Sequence, residues 1–241
     1  MPAFEAGRSL TAGEHVVLGG TPVAHHIVDV LRVRSGDRIT LFHAGEIYDA
    51  VIESASRSEL AVRVESVRLS VLSAHPLLLL QAIIRPALLD DVVRTCSPLG
   101  VQRFFLFSAE RSQPWNVASR LERLNLVAAS SAEQAETGQV PTVHIEAGLA
   151  DILANAGSLG TIIVLSPQAS DTIVSLARSG TLALEGAITV VVGPEGGFSE
   201  AEETLLNHSG AFRVHLCTGI LRSELAGFAA LLLVRELQSA L

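Results

Sequence analysis

The sequence contains no lysine, and all 17 of its basic residues are arginines. A Walker-type phosphate loop, the strand lysine of protein kinases and a pyridoxal Schiff base each require a lysine. These classes of protein are therefore excluded in their usual forms. No two glycines are separated by a single residue, so the G-x-G-x-x-G fingerprint of dinucleotide-binding proteins is absent too.

Cysteine is scarce, with only Cys96 and Cys217 and no C-x-x-C spacing. The favoured interpretation is that both cysteines are small side chains buried in the core, and a disulfide between them stays open. The longest apolar runs, at residues 77–80 and 229–234, fall far short of the ~20 residues that span a bilayer. The eight histidines show no metal-ligand spacing. We therefore expect a cytoplasmic protein with no membrane span and no bound metal.

The 241 residues are 49% hydrophobic and 17% charged, with a net charge of −8. This composition predicts a folded chain with a substantial core. The acidic balance argues against a protein that coats nucleic acid through bulk charge, and leaves a local basic patch as the route to such a partner.

The first part of the chain is typical of a small β-barrel. Strands are predicted at residues 38–42, 47–52 and 60–69. Within the third strand the apolar alternation changes phase between Val64 and Val67, which predicts a bulge. A short helix is predicted at residues 25–33. We assign residues 1–72 to this barrel.

Beyond residue 72 strands alternate with helices, which indicates an α/β domain at residues 73–241 with a largely parallel sheet. The continuous apolar runs are typical of buried parallel strands. The predicted strands are 77–84, 101–107, 161–165, 187–192 and 212–216. The predicted helices begin at Pro86, span 117–135 and 171–178, and begin at Ser199 and Ser223.

Two loops at the carboxyl ends of predicted strands are candidates for a ligand site, because open α/β sheets bind ligands at that edge. The first, residues 193–199, holds three glycines and leads into a capping box at Ser199. It is either a tight strand-to-helix turn or a ligand loop. The second, residues 216–226, carries Arg222 and Glu224 at a helix start, where each alone could be a surface or capping charge.

The motifs G-P-E-G-G-F-S at 193–199 and I-L-R-S-E-x-A at 220–226 together resemble the RsmE family. Its members are SPOUT-class, S-adenosylmethionine-dependent methyltransferases that methylate N3 of one uridine in bacterial small-subunit (16S) ribosomal RNA. L-G-V at 99–101, E-R-S at 110–112 and E-Q at 133–134 follow in family order. The resemblance covers nearly the whole chain.

The resemblance implies an N-terminal PUA-like barrel that helps to hold RNA, and a C-terminal domain with a deep trefoil knot. It also implies a homodimer whose interface forms the site, with ribosomal RNA or an assembled 30S particle as partner. The knot loops would bind S-adenosylmethionine in a bent form. The implied cofactor-binding residues are Leu165, Ser166, Gly193, Pro194, Glu195, Gly196, Gly197, Leu216, Ile220 and Leu221.

Methylation of uridine N3 requires removal of its proton and stabilisation of the uracil anion. Arg222 is the candidate stabiliser of that anion, and Glu224 is a candidate base or orienting group. Arginines suit phosphate contacts and stacking on bases. The candidate RNA-binding residues are Arg8, Arg32, Arg34, Arg38, Arg85 and Arg111.

The chain departs from the family pattern L-G-x-R-I-L-R-T-E-T-A at Cys217, Gly219, Ser223 and Leu225. These departures keep two alternatives open beside the active methyltransferase. One is a degenerate homologue that binds RNA or cofactor without turnover. The other is a small-molecule enzyme that uses the glycine loop for another nucleotide, against which the missing lysine and missing G-x-G count.

Overall fold

The computed structural model describes residues 3–19, 33–56, 59–70, 75–154, 158–216 and 219–240. The chain divides into two compact units, Met1–Ser73 with Ala132–Val140, and Ala74–Ser131 with Pro141–Leu241. The helix predicted at residues 25–33 lies outside the described residues except for Val33.

A five-stranded sheet forms the first unit, in the order β1-β3-β4-β5-β2. Strand β1 runs parallel to β3, and the other pairs are antiparallel. The three strands predicted from the sequence are present, while the two short N-terminal strands were not predicted. The strands are β1 (Ala3–Glu5), β2 (His15–Gly19), β3 (Arg38–His43), β4 (Glu46–Ala55) and β5 (Glu59–Leu69).

The predicted bulge in β5 is present. Asp49 of β4 pairs with Ser66, but the next residue, Ala50, pairs with Val64, so Glu65 is the extra residue. One additional residue reverses the faces to which later side chains point. Leu60, Val62 and Val64 before the bulge are fully buried, as the alternation requires.

Residues 132–140, which the sequence analysis placed in the second domain, belong to the first unit. The Ser70 hydroxyl donates to the Thr137 carbonyl (2.8 Å), and the Gly45 amide donates to the Gly138 carbonyl (3.1 Å). Gly138 has a φ of +77°, and a Cβ there would lie 2.8 Å from Cγ1 of Ile47. Only glycine therefore fits this close approach.

The second unit contains a six-stranded, wholly parallel sheet in the order β11-β9-β10-β6-β7-β8, which confirms the predicted α/β class. Strands β6 and β10 at its centre are buried at every position, as their continuous apolar sequences predicted. The trefoil knot stays a prediction. The strands are β6 (Leu77–Ala82), β7 (Val101–Phe107), β8 (Thr142–Glu146), β9 (Thr161–Leu165), β10 (Ile188–Val192) and β11 (Phe212–Val214).

Helices cover both faces of this sheet. Leu77 and Leu79 of β6 pack in one core with four helices, and Leu78 and Leu80 face a second core with the other two. In the last helix, a Cβ on Gly227 would lie 3.3 Å from Leu79, so this glycine lets the helix approach the sheet closely. The helices are α1 (Pro86–Cys96), α2 (Leu121–Gln134), α3 (Leu149–Leu153), α4 (Ile173–Arg178), α5 (Glu200–His208) and α6 (Ser223–Ser239).

Cys96 is an unpaired cysteine in the core, and burial raises the pKa of its thiol to about 12. Cys217 lies outside the described residues. Within the described part of the chain, no helix is long and apolar enough to cross a membrane.

Candidate active site

The candidate loops follow three adjacent strands of the parallel sheet. Strands β11, β9 and β10 are neighbours in the sheet order, and the chain leaves them at His215, Ser166 and Gly193. Parallel strands end at the same edge, so these loops share one edge of the sheet. A ligand site was predicted at this edge from the two loop sequences.

The glycine loop, residues 193–198, turns tightly between β10 and α5. A Cβ on Gly193 would lie 3.0 Å from Cε2 of Phe198, whose ring is buried against the loop. Gly197 has a φ of +72°, and its amide donates to the Pro194 carbonyl (2.9 Å). Because residues 195–197 are exposed between the buried Pro194 and Phe198, the loop presents its main chain to solvent.

The predicted capping box at the start of α5 is present. Glu202 Oε2 accepts from the Ser199 amide (2.9 Å), and Ser199 Oγ accepts from the Glu202 amide (3.2 Å). The other oxygen of Glu202, Oε1, accepts from the amide of Glu110 in the loop after β7 (3.0 Å). In the same loop Arg111 Nη1 donates to the Gly196 carbonyl (3.3 Å). Arg111, predicted as an RNA-binding residue, thus lies beside the glycine loop.

The start of α6 is hydrogen-bonded to the glycine loop. Ser223 Oγ donates to the Gly193 carbonyl (3.0 Å) and accepts from Nε2 of Gln81 (2.9 Å). Gln81 is fully buried at the end of β6, beside Val192 of β10. Gln81 was not among the predicted site residues, although it is the one polar residue in the apolar run 77–84.

The two candidate catalytic residues flank Ser223. The Arg222 side chain is 84% exposed, and its Nη1 lies 3.9 Å from Oε1 of Glu224, which is 15% exposed. Ile220 and Leu221, just before them, are also exposed. The exposed guanidinium of Arg222 is accessible to an anionic ligand, and the largely buried carboxylate of Glu224 lies close to it.

The remaining predicted cofactor residues are those that follow β9 and β11 or end β9. Leu165, Ser166 and Leu216 are half-buried. The Ser166 amide donates to the Val214 carbonyl (2.9 Å), which joins the loops after β9 and β11.

Three of the arginines predicted to bind RNA in the first unit, Arg8, Arg34 and Arg38, are exposed. Nη2 of Arg8 lies 2.6 Å from Oε1 of Glu14. The hydrogen bond that Arg8 donates holds the pKa of Glu14 below its usual value. Arg38 contacts Glu65 (3.3 Å), and Arg34 is exposed. Arg32 lies outside the described residues, and Arg85, in the second unit, is exposed.

Residues 72–235 match the model of a protein family described as an RNA methyltransferase domain. The chain belongs to this RNA methyltransferase family. Residues 11–65 also match a model described as an RNA methyltransferase PUA domain, which agrees with the predicted N-terminal module.

Individual relatives of this RNA methyltransferase agree with the family match. Proteins named ribosomal RNA small subunit methyltransferase E are 28% identical in Mycobacterium bovis and 26% identical in Rickettsia conorii. The alignments cover 86% and 95% of this chain, and 80% and 93% of those proteins. The resemblance to the RsmE family is thereby confirmed.

Solved structures are similar over the full length. One is the structure of ribosomal RNA small subunit methyltransferase E from Neisseria gonorrhoeae bound to S-adenosyl methionine. Its sequence is 28% identical to this chain, and the structures align with a TM-score of 0.82 over 98% of both chains. A putative methyltransferase from Legionella pneumophila in complex with the same cofactor is 25% identical, with a TM-score of 0.78 and coverage of 99% and 97%. Both support the assigned fold.

Within the described ranges, no group of three or more His, Cys, Asp or Glu side chains is placed to hold a metal ion.

Proposed function

We propose that this chain is an S-adenosylmethionine-dependent methyltransferase that methylates N3 of a uridine in small-subunit ribosomal RNA. The observation that carries the proposal is the hydrogen bond from Ser223 to the Gly193 carbonyl. It brings together the two motifs on which the family resemblance rests, at the edge of the sheet where ligands bind. The relatives named ribosomal RNA small subunit methyltransferase E, among them the Neisseria protein with bound S-adenosyl methionine, support the same activity. The putative methyltransferase from Legionella, also in complex with this cofactor, supports the cofactor assignment.

The residues at this edge fit the cofactor. Adenine and ribose need main-chain hydrogen-bonding groups and apolar contacts, and no phosphate-binding lysine. The exposed main chain of residues 195–197 and the apolar side chains of Ile220 and Leu221 offer both. When bound, the cofactor supplies an electrophilic methyl group. The residues that would hold it are Leu165, Ser166, Gly193, Pro194, Glu195, Gly196, Gly197, Leu216, Ile220 and Leu221.

The protein must supply charge stabilisation and a path for a proton. Uridine N3 is a weak acid, so its loss of a proton leaves negative charge on the uracil ring. Arg222, with its exposed guanidinium, stabilises this charge. Glu224, whose Oε1 lies 3.9 Å from Arg222 Nη1, is the candidate acceptor of the N3 proton or the group that orients Arg222.

Arginines on both units bind the RNA. The ion pairs of Arg8 and Arg38 are exposed, and such pairs contribute only about 0–1 kcal/mol. Exchange of the acidic partner for an RNA phosphate therefore costs little. Arg34, Arg85 and Arg111 complete the described set, and Arg32 is the remaining candidate. The substrate is free ribosomal RNA or the assembled 30S particle, and the proposed location is the cytoplasm.

A homodimer is proposed through helix α6. Leu225 and Leu232, seven residues apart, are 52% and 39% exposed, with Phe228 half-buried between them. This spacing places them on one stripe of the helix, which begins beside Arg222. A second copy that covers the stripe would lie next to the site.

Nucleoside mass spectrometry of small-subunit ribosomal RNA tests the function. Deletion of the gene should remove 3-methyluridine, and the wild-type gene and an Arg178→Ala control should restore it. Arg178 is an exposed arginine of α4 outside the site. Arg222→Ala should not restore it.

Unchanged 3-methyluridine after deletion would refute the proposed substrate. Cofactor binding by the purified protein without any methyl transfer would instead favour the degenerate homologue.

A further inference from the structure

Gln81 begins a buried chain of hydrogen bonds that reaches the candidate site. Its Nε2 donates to Ser223 Oγ (2.9 Å) and to the Ala82 carbonyl (3.1 Å). Ser223 Oγ in turn donates to the Gly193 carbonyl (3.0 Å). We call these three residues, Gln81, Ser223 and Gly193, the Gln81 chain. It connects the end of β6, the first residue of α6 and the first residue of the glycine loop.

Fold stability does not account for the amide at this position. The Gln81 side chain is fully buried, and its Oε1 has no hydrogen-bond partner among the described residues. A buried acceptor without a partner destabilises the folded state. Every other residue of β6 is an apolar leucine or alanine. A leucine at position 81 would continue this pattern and remove the buried Oε1 that has no partner.

Helix α6 depends on this chain for the position of its first turn. Helices α4 and α5 are capped by the side chains of Thr172 and Ser199. The residue in that position at α6 is Arg222, whose side chain makes no capping hydrogen bond. The hydroxyl of Ser223 instead bonds to a different loop, so the start of α6 is located relative to Gly193.

We propose that Gln81 is a positioning residue of the methyltransferase: through Ser223 it fixes the distance between the glycine loop and the pair formed by Arg222 and Glu224. The inference rests on the proposed function, because the glycine loop is the proposed cofactor loop, and Arg222 and Glu224 are the groups proposed to act on uridine. Gln81 itself is fully buried and acts through its hydrogen bond to Ser223. Displacement of a catalytic group by about 1 Å can lower a rate about 100-fold, so a small shift at α6 is enough to matter.

The variants that test this role are Gln81→Leu, Ser223→Ala and the double variant. Thr189→Val is the matched control, because the Thr189 hydroxyl is also buried in the sheet and donates to a main-chain carbonyl, that of Leu159 (2.6 Å). Thr189 lies near the start of β10, whereas Gly193 follows the last residue of that strand. The control therefore removes a comparable hydrogen bond away from the site.

Gln81→Leu should lower kcat for rRNA methylation about 10- to 100-fold, with little change in the KM for the cofactor and an unfolding temperature equal to or above that of wild type. The double variant should be no slower than the slower single variant, because both changes break one chain. Thr189→Val should lower the unfolding temperature and keep the wild-type kcat. A Gln81→Leu enzyme with kcat within twofold of wild type would overturn the inference.

Amide hydrogen exchange tests the positioning without reference to activity. The amides of Leu225 and Ala226 donate to the Arg222 carbonyl (3.0 and 2.9 Å) and report on the first turn of α6. Their exchange should accelerate in Gln81→Leu and not in Thr189→Val. Unchanged exchange would overturn the inference even if the wild-type protein transferred no methyl group. Absence of transfer by wild type with accelerated exchange in Gln81→Leu would refute the proposed reaction and support the positioning role.

Discussion

The carboxylate of Asp90 joins helix α1 to the start of α2, and its replacement gives a sharp test of the packing in the second unit. The Asp90 side chain is only 7% exposed. It accepts hydrogen bonds from Nη2 of Arg120 (2.8 and 2.9 Å) and from Nε of Arg123 (2.7 Å). The adjacent Asp91 contacts Arg94, and both of those side chains are more than half exposed. The two aspartates therefore form a matched pair of substitution sites.

Asp90→Asn should destabilise the protein by about 2 kcal/mol, since a hydrogen bond to a charged group contributes about 1.5–3 kcal/mol and asparagine keeps one acceptor oxygen. For a chain of this size the unfolding temperature should fall by about 4–8 °C. Asp91→Asn should cost less than about 1 kcal/mol, because exposed ion pairs contribute little. Urea unfolding of both variants at neutral pH measures the difference.

The effect should depend on pH in a defined direction. Burial raises the pKa of Asp90, but the hydrogen bonds and charges of Arg120 and Arg123 outweigh it and hold the pKa below its usual 3.8. A carboxyl with a lowered folded-state pKa stabilises the protein fully above its unfolded-state pKa. That contribution is lost as the pH falls through the folded-state pKa. The gap in stability between wild type and Asp90→Asn should therefore narrow below a pH of about 4.

Two results would refute this reasoning. The first is equal destabilisation by Asp90→Asn and Asp91→Asn at neutral pH. The second is a gap between wild type and Asp90→Asn that stays constant into acid, where the carboxylate is protonated.

Two further predictions concern the site. Gly193→Ala should destabilise the folded protein by about 1–3 kcal/mol in urea unfolding, because its Cβ would lie 3.0 Å from Cε2 of the buried Phe198 ring. Gly219→Ala, whose Cβ meets no atom within 4 Å, is the control, and equal stabilities of the two variants would contradict the close-approach explanation. Gly219→Arg restores the arginine of the family pattern at a position with room for it. Binding to rRNA should tighten and its log–log salt slope should steepen by about one, and an unchanged slope would show that position 219 does not face the RNA.

The elements that were predicted correctly carry strong local signals. Strands β6 and β10 are buried along their whole length, so their apolar runs identify them. Pro86 and the Ser199 capping box fix two helix starts. Strand β8 was missed because it lies at the sheet edge and only one of its five residues is buried. The short strands β1 and β2 likewise give no long pattern.

The missed parts of the site depend on which strands are neighbours, and the sequence did not provide the order of the sheet. Because β6 lies beside β10, Gln81 pairs with Val192 and reaches Ser223, which is 142 residues away in the chain. The same long-range packing places Arg120 and Arg123 in ion pairs with Asp90. Sequence motifs thus predict which loops meet at the carboxyl edge, because each loop follows its own strand. The packing of distant segments determines which residues hold those loops in place. It also determines which arginines pair with a buried carboxylate and which stay available to RNA.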